Sequence, residues 1–254
     1  MCVAAIAWQA HPRWRVVAIG NRDEYHARAA APLARWSDRR GVIAGRDLPS
    51  GGTWLGVGEA NARLALVTNL PSDGAPDPEK ASRGTLVGDL LTGAGRYADP
   101  ATADLAEFNP MNLICVEGHR AHFLTNRPEP LRAELAPGLY GLSNGALDEP
   151  WAKVLQLKAA LLDWLTKGDG TFEPLFATLR DDRLRHAEGT PAPEQTPPFI
   201  RDPVYGTRCS TVAAIDHAGR GTIIERSFDA AGAATGNAQE DFAWSALALG
   251  KSSS

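Results

Sequence analysis

Residues 1–25 read "MCVAAIAWQAHPRWRVVAIGNRDEY". Two short, apolar, β-rich runs, 2–9 and 13–19, flank "QAHP", which suits a turn, so the stretch reads as a β-hairpin. Neither run alternates strictly between apolar and polar residues. Continuous apolar runs of strand length indicate strands covered on both faces. The second run leads into the polar "NRDEY", residues 21–25. Antiparallel pairing brings that end beside the start of the first strand, so Arg22 and Asp23 are expected near Cys2.

Similar pairs recur along the chain. "GGTWLGVG" (51–58) and "ARLALVTNL" (62–70) flank the turn-like "GEAN". "MNLICVEGHRAHFLTN" (111–126) turns at "EGHR", and "RCSTVAAIDHAGRGTIIERSF" (208–228) turns at "HAGRG". Helical patterns fill the gaps. In 82–94, Ser82 is the expected N-cap, with Leu86, Leu90 and Leu91 at helical spacing. In 148–168, Asp148 is the expected cap, Pro150 sits in the first turn, and Trp151, Val154, Leu155, Leu157, Leu161, Leu162 and Leu165 form an apolar stripe. Residues 171–182 predict a third helix. Strands arriving in antiparallel pairs, with helices between the blocks, indicate an α+β fold. No internal repeat or strong break divides the chain, so 1–254 is expected to be one domain. A proline-rich loop is expected at about 187–203 and a frayed end at about 247–254.

Composition narrows the function classes. A net charge of −4, with no extended run of either sign, argues against a nucleic-acid binder. No apolar stretch is long enough to span a bilayer. The N-terminal apolar run is broken by Gln9, His11 and Arg13 and lacks a basic lead, so it is not read as a signal peptide. Cys2, Cys115 and Cys209 show no CxxC spacing and are read as free thiols in a reducing compartment. The expectation is a soluble cytoplasmic protein.

Cys2 has two readings. Methionine aminopeptidases remove Met1 when the next residue is small, which leaves a thiol and a free α-amine on one residue. With a pKa of about 7.7–8.0, that amine can act as general base for its own side chain. The alternative is a small apolar residue opening a strand. Arg22 would lower the thiol's pKa, and the carboxylate of Asp23, or of Glu24, would orient the amine, with Asn21 beside them. Asn69 and Asn144 each follow an apolar run, and their amides suit donation to an oxyanion, though asparagine is also a routine turn residue. Arg208, in "YGTRCSTV", is either a surface charge or, placed in a cleft, an anchor for a substrate carboxylate or phosphate or a charge that depresses the pKa of Cys2. The six histidines are isolated and no carboxylate accompanies His119 and His122 at metal spacing, so no metal site or cofactor is expected. Trp54 is read as a core anchor first and a pocket wall second.

"MCVAAIAW", "NRDEY", "GGTWLGV", "VTNLP", "YGLSNGALDEPW" and "YGTRCSTV", in this order, resemble the NRDE family, which includes the transport and Golgi organization 2 proteins. The motifs run from residue 1 to about residue 228. That family in turn resembles the cysteine-type N-terminal nucleophile hydrolases. The resemblance implies a four-layer αββα sandwich of two antiparallel sheets. It also implies a nucleophile at Cys2, asparagines at Asn69 and Asn144, and a late arginine at Arg208. The hydrolase branch usually has an aspartate three residues after its arginine, whereas Arg22 and Asp23 are adjacent, so the carboxylate role stays open between Asp23 and Glu24.

Two functions follow as expectations. One is a hydrolase attacking an amide or thioester of a small molecule through Cys2. The other is a non-catalytic carrier of haem, lipid or acyl-CoA that reuses the same pocket.

Overall fold

The computed structural model describes residues 2–72, 74–168, 170–183 and 195–249. The opening hairpin is present as β1 (Val3–Trp8) and β2 (Trp14–Tyr25), in a register running from Val3 opposite Asn21 to Trp8 opposite Val16. "NRDEY" does not follow the second strand: it forms that strand's last five residues. Its polar backbone keeps strand geometry because β11 (Tyr205–Asp216) pairs along the whole of β2, from Tyr25 opposite Tyr205 to Trp14 opposite Asp216.

β10 (Gly138–Leu142), β12 (Arg220–Phe228) and β13 (Ala234–Ala243) complete a six-stranded antiparallel sheet, ordered β10-β1-β2-β11-β12-β13. The second sheet has seven strands in chain order: β3 (Ala30–Arg35), β4 (Val42–Asp47), β5 (Leu55–Gly58), β6 (Arg63–Asn69), β7 (Met111–Glu117), β8 (Arg120–Thr125) and β9 (Leu131–Glu134). β5 starts at Leu55, so Gly51–Trp54 form a loop that leads into it.

The side chains of β1 divide by parity. Ala4, Ile6 and Trp8 point into the core between the sheets, while Val3, Ala5 and Ala7 pack under α2 (Ala152–Lys167) and α3 (Glu173–Leu179). That double coverage is why β1 reads as one apolar run. α1 (Arg83–Thr92) covers the outer face of the second sheet against β4, β5 and β6. The layers are therefore helices, sheet, sheet and helix, the α+β sandwich expected from the sequence.

Ser82 caps α1 as expected, accepting from the Gly84 and Thr85 amides, and Gly93 closes the helix at φ 63°. Asp148 does not cap α2. It sits at φ 59°, and its carboxylate accepts from the Gly141 amide and the Lys158 ammonium; the helix begins after Trp151 with no side-chain cap. Leu155 and Leu162 also leave the expected stripe, being 52% and 51% exposed, while Leu157 and Leu161 are fully buried. Most of the proline-rich loop expected at 187–203 lies outside the described residues. Ala246–Leu249 form a helical turn, α4, and the rest of the end expected to fray, 250–254, lies outside the described residues.

Candidate functional site

Cys2 stands directly before β1, and the hairpin register, continued one step beyond the Val3–Asn21 pair, sets it across from Arg22. Arg22 in turn faces Cys209 on β11. Cys2 lines a cleft of about 430 Å³ together with Arg22, Asp23, Asn69, Trp54 and Arg83. Burial and the Asp23 charge push the Cys2 thiol's pKa up, while the Arg22 charge and a hydrogen bond from the Asp23 backbone pull against them.

Adjacent carboxylates on β2 face opposite ways, as strand parity requires. Asp23 is 4% exposed; its Oδ1 accepts from the Thr207 hydroxyl at 2.7 Å, while the buried Oδ2 has no hydrogen-bond partner among the described residues. Burial pushes its carboxyl up to about 6, against the pull of Lys153, the Thr207 hydrogen bond and Arg22. Glu24 lies with Arg22 and Arg28, at 3.6 and 3.8 Å. Arg22 Nη2 also pairs with Asp47 at 2.6 Å, and Arg28 grips the same carboxylate with two bonds of 2.6 and 2.7 Å. Arg22 Nη1 is buried and makes no hydrogen bond among the described residues.

Asn69 closes β6 at the cleft, with its side chain exposed to it. Asn144 is placed one step back: its Nδ2 donates to the Asn69 carbonyl at 2.6 Å, and its Oδ1 accepts from Ser143, whose hydroxyl also donates to the Cys2 carbonyl at 2.8 Å. Asn21 is fully buried on the helix side of the sheet. Its Nδ2 donates to the Leu179 and Pro198 carbonyls, both at 2.7 Å, and its Oδ1 accepts from Ser210.

Arg208 is not brought to Cys2's cleft. It is the unpaired residue of a β-bulge between Thr207 and Cys209, which re-aims its side chain onto the Tyr25, His26 and Arg28 carbonyls. It lines a neighbouring cavity of about 250 Å³ that shares Arg22, Asp47, Thr53 and Trp54 with the cleft.

Lys153 and Arg83 were missed by the sequence reading. Lys153 is 1% exposed and donates to the Thr196 hydroxyl at 3.0 Å. Burial lowers its pKa, while Asp23 and Cys2 hold it up. One signal existed: Lys153 lies four and eight residues before Leu157 and Leu161, squarely on the apolar stripe. Arg83 had none, because its position depends on the "GGTW" loop. Thr53 donates its amide to the Gly84 carbonyl at 3.2 Å, which packs the first turn of α1 against the cleft wall. Among the described residues no group of three His, Cys, Asp or Glu side chains is arranged to hold a metal ion.

The fold and cleft define an α+β sandwich protein with a candidate cysteine nucleophile at the edge of its first strand. The profile of the Transport and Golgi organisation 2 family matches residues 1–230, and the chain belongs to that family. It is 31% identical over 261 residues to a Transport and Golgi organization protein 2 homolog of Bos taurus, covering 89% of this chain and 93% of the relative. The human homolog is 29% identical over 258 residues and the Drosophila melanogaster protein 26% over 265, each covering 89% of this chain. Among the described residues no helix is long and apolar enough to cross a membrane.

Proposed function

We propose that this protein is an N-terminal nucleophile hydrolase in which Cys2, freed by removal of Met1, attacks the carbonyl carbon of an amide or thioester. The observation that carries this reading is the convergence of Cys2, Arg22, Asp23 and Asn69 on one cleft. The α-amine of Cys2 takes the thiol proton as the S–C bond forms, and the same proton passes to the leaving amine or thiol as the scissile bond breaks. Water then attacks the acyl-enzyme, which releases the acid and restores the thiol.

Asp23 orients the α-amine through Oδ2, which has no hydrogen-bond partner among the described residues, with Lys153 holding the carboxylate charge behind it. The exposed amide of Asn69 donates to the oxyanion. Asn144 acts through Asn69, since its own N–H is committed to the Asn69 carbonyl. Arg22, fixed by Asp47, favours the thiolate.

The test is the chemistry of Cys2 itself. The purified chain is expected to lack Met1 by intact mass. Iodoacetamide is expected to alkylate Cys2 ahead of Cys115 and Cys209, with a pH dependence set by an amine near pH 8. An alanine inserted between Met1 and Cys2 separates the thiol from the terminal amine and should slow that reaction. Cys2→Ala should abolish turnover across a panel of amides and thioesters without changing thermal unfolding. Retention of Met1, or equal alkylation of the inserted variant, overturns the proposal.

A further inference from the structure

Resting on that reading of Cys2, the geometry points to a substrate that carries an anionic group, a carboxylate or its equivalent, held in the cleft by Arg83 and the inner edge of Arg22.

The charges of the cleft do not cancel locally. Four basic residues line it: Arg22, Arg28, Lys80 and Arg83. Arg22 and Arg28 are committed to Asp47 and Glu24. Arg83 and Lys80 have no carboxylate within 4 Å among the described residues: Arg83 donates to the Pro110 carbonyl at 2.9 Å and Lys80 to the Ala106 carbonyl at 2.6 Å. Of the acidic residues, Asp23 is buried with Lys153 as its countercharge, and Asp77 is exposed, with its carboxylate accepting the Glu79 amide. Arg83 and Lys80 together face only the one negative charge of Asp77, so the cleft keeps a net positive charge on its α1 side.

Arg83 is also the cation placed to act on a ligand at Cys2. It is half-buried, and Cys2 and Glu24 are the charges that favour its ionised form against burial. A guanidinium in this setting presents several N–H donors in a plane suited to a carboxylate. Arg22 Nη1 adds a buried donor without an acceptor among the described residues, a group whose burial is costly until an acceptor reaches it. The first turn of α1 contains no acidic residue to offset the positive end of the helix. The acyl carbonyl would lie at Cys2 and Asn69, with the anion one guanidinium away.

Two small probes separate charge from reactivity. Iodoacetate and iodoacetamide alkylate a thiolate by the same displacement: an S–C bond forms, the C–I bond breaks and iodide leaves. Only iodoacetate is anionic. Rates at Cys2 in the full-length protein, followed by peptide mass spectrometry, give a ratio that is compared with the ratio for a free thiol. The ratio is expected to favour iodoacetate over the free-thiol value on the order of tenfold, the lower end for one charge-assisted hydrogen bond. Arg83→Gln should return it to the free-thiol value. Arg83→Lys, which keeps the charge but not the planar fork, should retain part of it, and carries the test if Arg83→Gln unfolds. A wild-type ratio equal to that of the free thiol, with Cys2 still fast toward iodoacetamide, overturns the anionic substrate alone. A Cys2 inert to iodoacetamide overturns the nucleophile reading, and this inference with it.

Discussion

Gly52→Ala tests how the "GGTW" loop sets the cleft wall. The added Cβ would lie 2.2 Å from the Gly84 carbonyl carbon, 2.4 Å from its oxygen and 2.6 Å from the Thr85 nitrogen. All three are backbone atoms of α1's first turn, and carbon pairs relax only at about 3.5–4.0 Å. Loop and helix must therefore separate by roughly 1.3 Å. That movement breaks the Thr53 amide bond to the Gly84 carbonyl, now 3.2 Å. Overpacking costs about 1–3 kcal/mol and the lost hydrogen bond about 0.5–1.5 kcal/mol, so a destabilisation of about 1.5–4.5 kcal/mol is expected. Gly84→Ala enters the same contact from the other side, but its Cβ meets nothing closer than the Thr53 nitrogen at 3.2 Å. The helix also prefers alanine by about 1 kcal/mol, so this variant should stay within about 1 kcal/mol of wild type. Urea unfolding followed by tryptophan fluorescence measures both. A Gly52→Ala midpoint equal to wild type, or a Gly84→Ala loss as large as that of Gly52→Ala, would show that this contact does not set the spacing of loop and helix.

Asp23 predicts a pH dependence of stability. Its carboxyl titrates at about 6 in the fold and at about 3.9 unfolded, so the folded chain holds the extra proton between those values and stability falls as pH rises through that window. Asp23→Asn should flatten the decline in Tm between pH 4 and 7, and parallel curves would count against it. Leu161→Ala should cost about 2–5 kcal/mol and Leu162→Ala less than about 0.5 kcal/mol, since only Leu161 is buried. Equal losses in denaturant unfolding would contradict the helix phase. Asn21→Ala strips the donors from the Leu179 and Pro198 carbonyls and should destabilise by about 2–4 kcal/mol. Limited proteolysis should then cut faster around α3, and an unchanged digestion pattern would show that the amide does not hold it.

Much of the fold was legible because its signals are local. The hairpins announce themselves by two apolar runs around a turn, and Ser82 and Gly93 bracket α1. The five unpredicted strands lack that pattern. β13, "ATGNAQEDFA", is almost wholly exposed, and β9 is a short outer strand; each pairs on one side only. Such edges are held by backbone bonds to a partner, which side-chain periodicity does not record. Asp148 was misread for a related reason: a carboxylate ahead of a helix suits a cap, but the Gly141 amide and Lys158 claim it.

For the candidate site, local pattern sufficed to place a cysteine at the head of a fully buried strand with Arg22 and Asp23 alongside it, because hairpin register is set by a short turn. Tertiary structure decided the rest. Strand parity turned Asp23 toward Lys153 and Glu24 toward Arg28. A bulge took Arg208 away from Cys2, and the packing of a glycine loop on α1 brought Arg83 in. These placements depend on contacts between segments far apart in the chain, whose geometry is fixed only when both sheets and their helices close on one another.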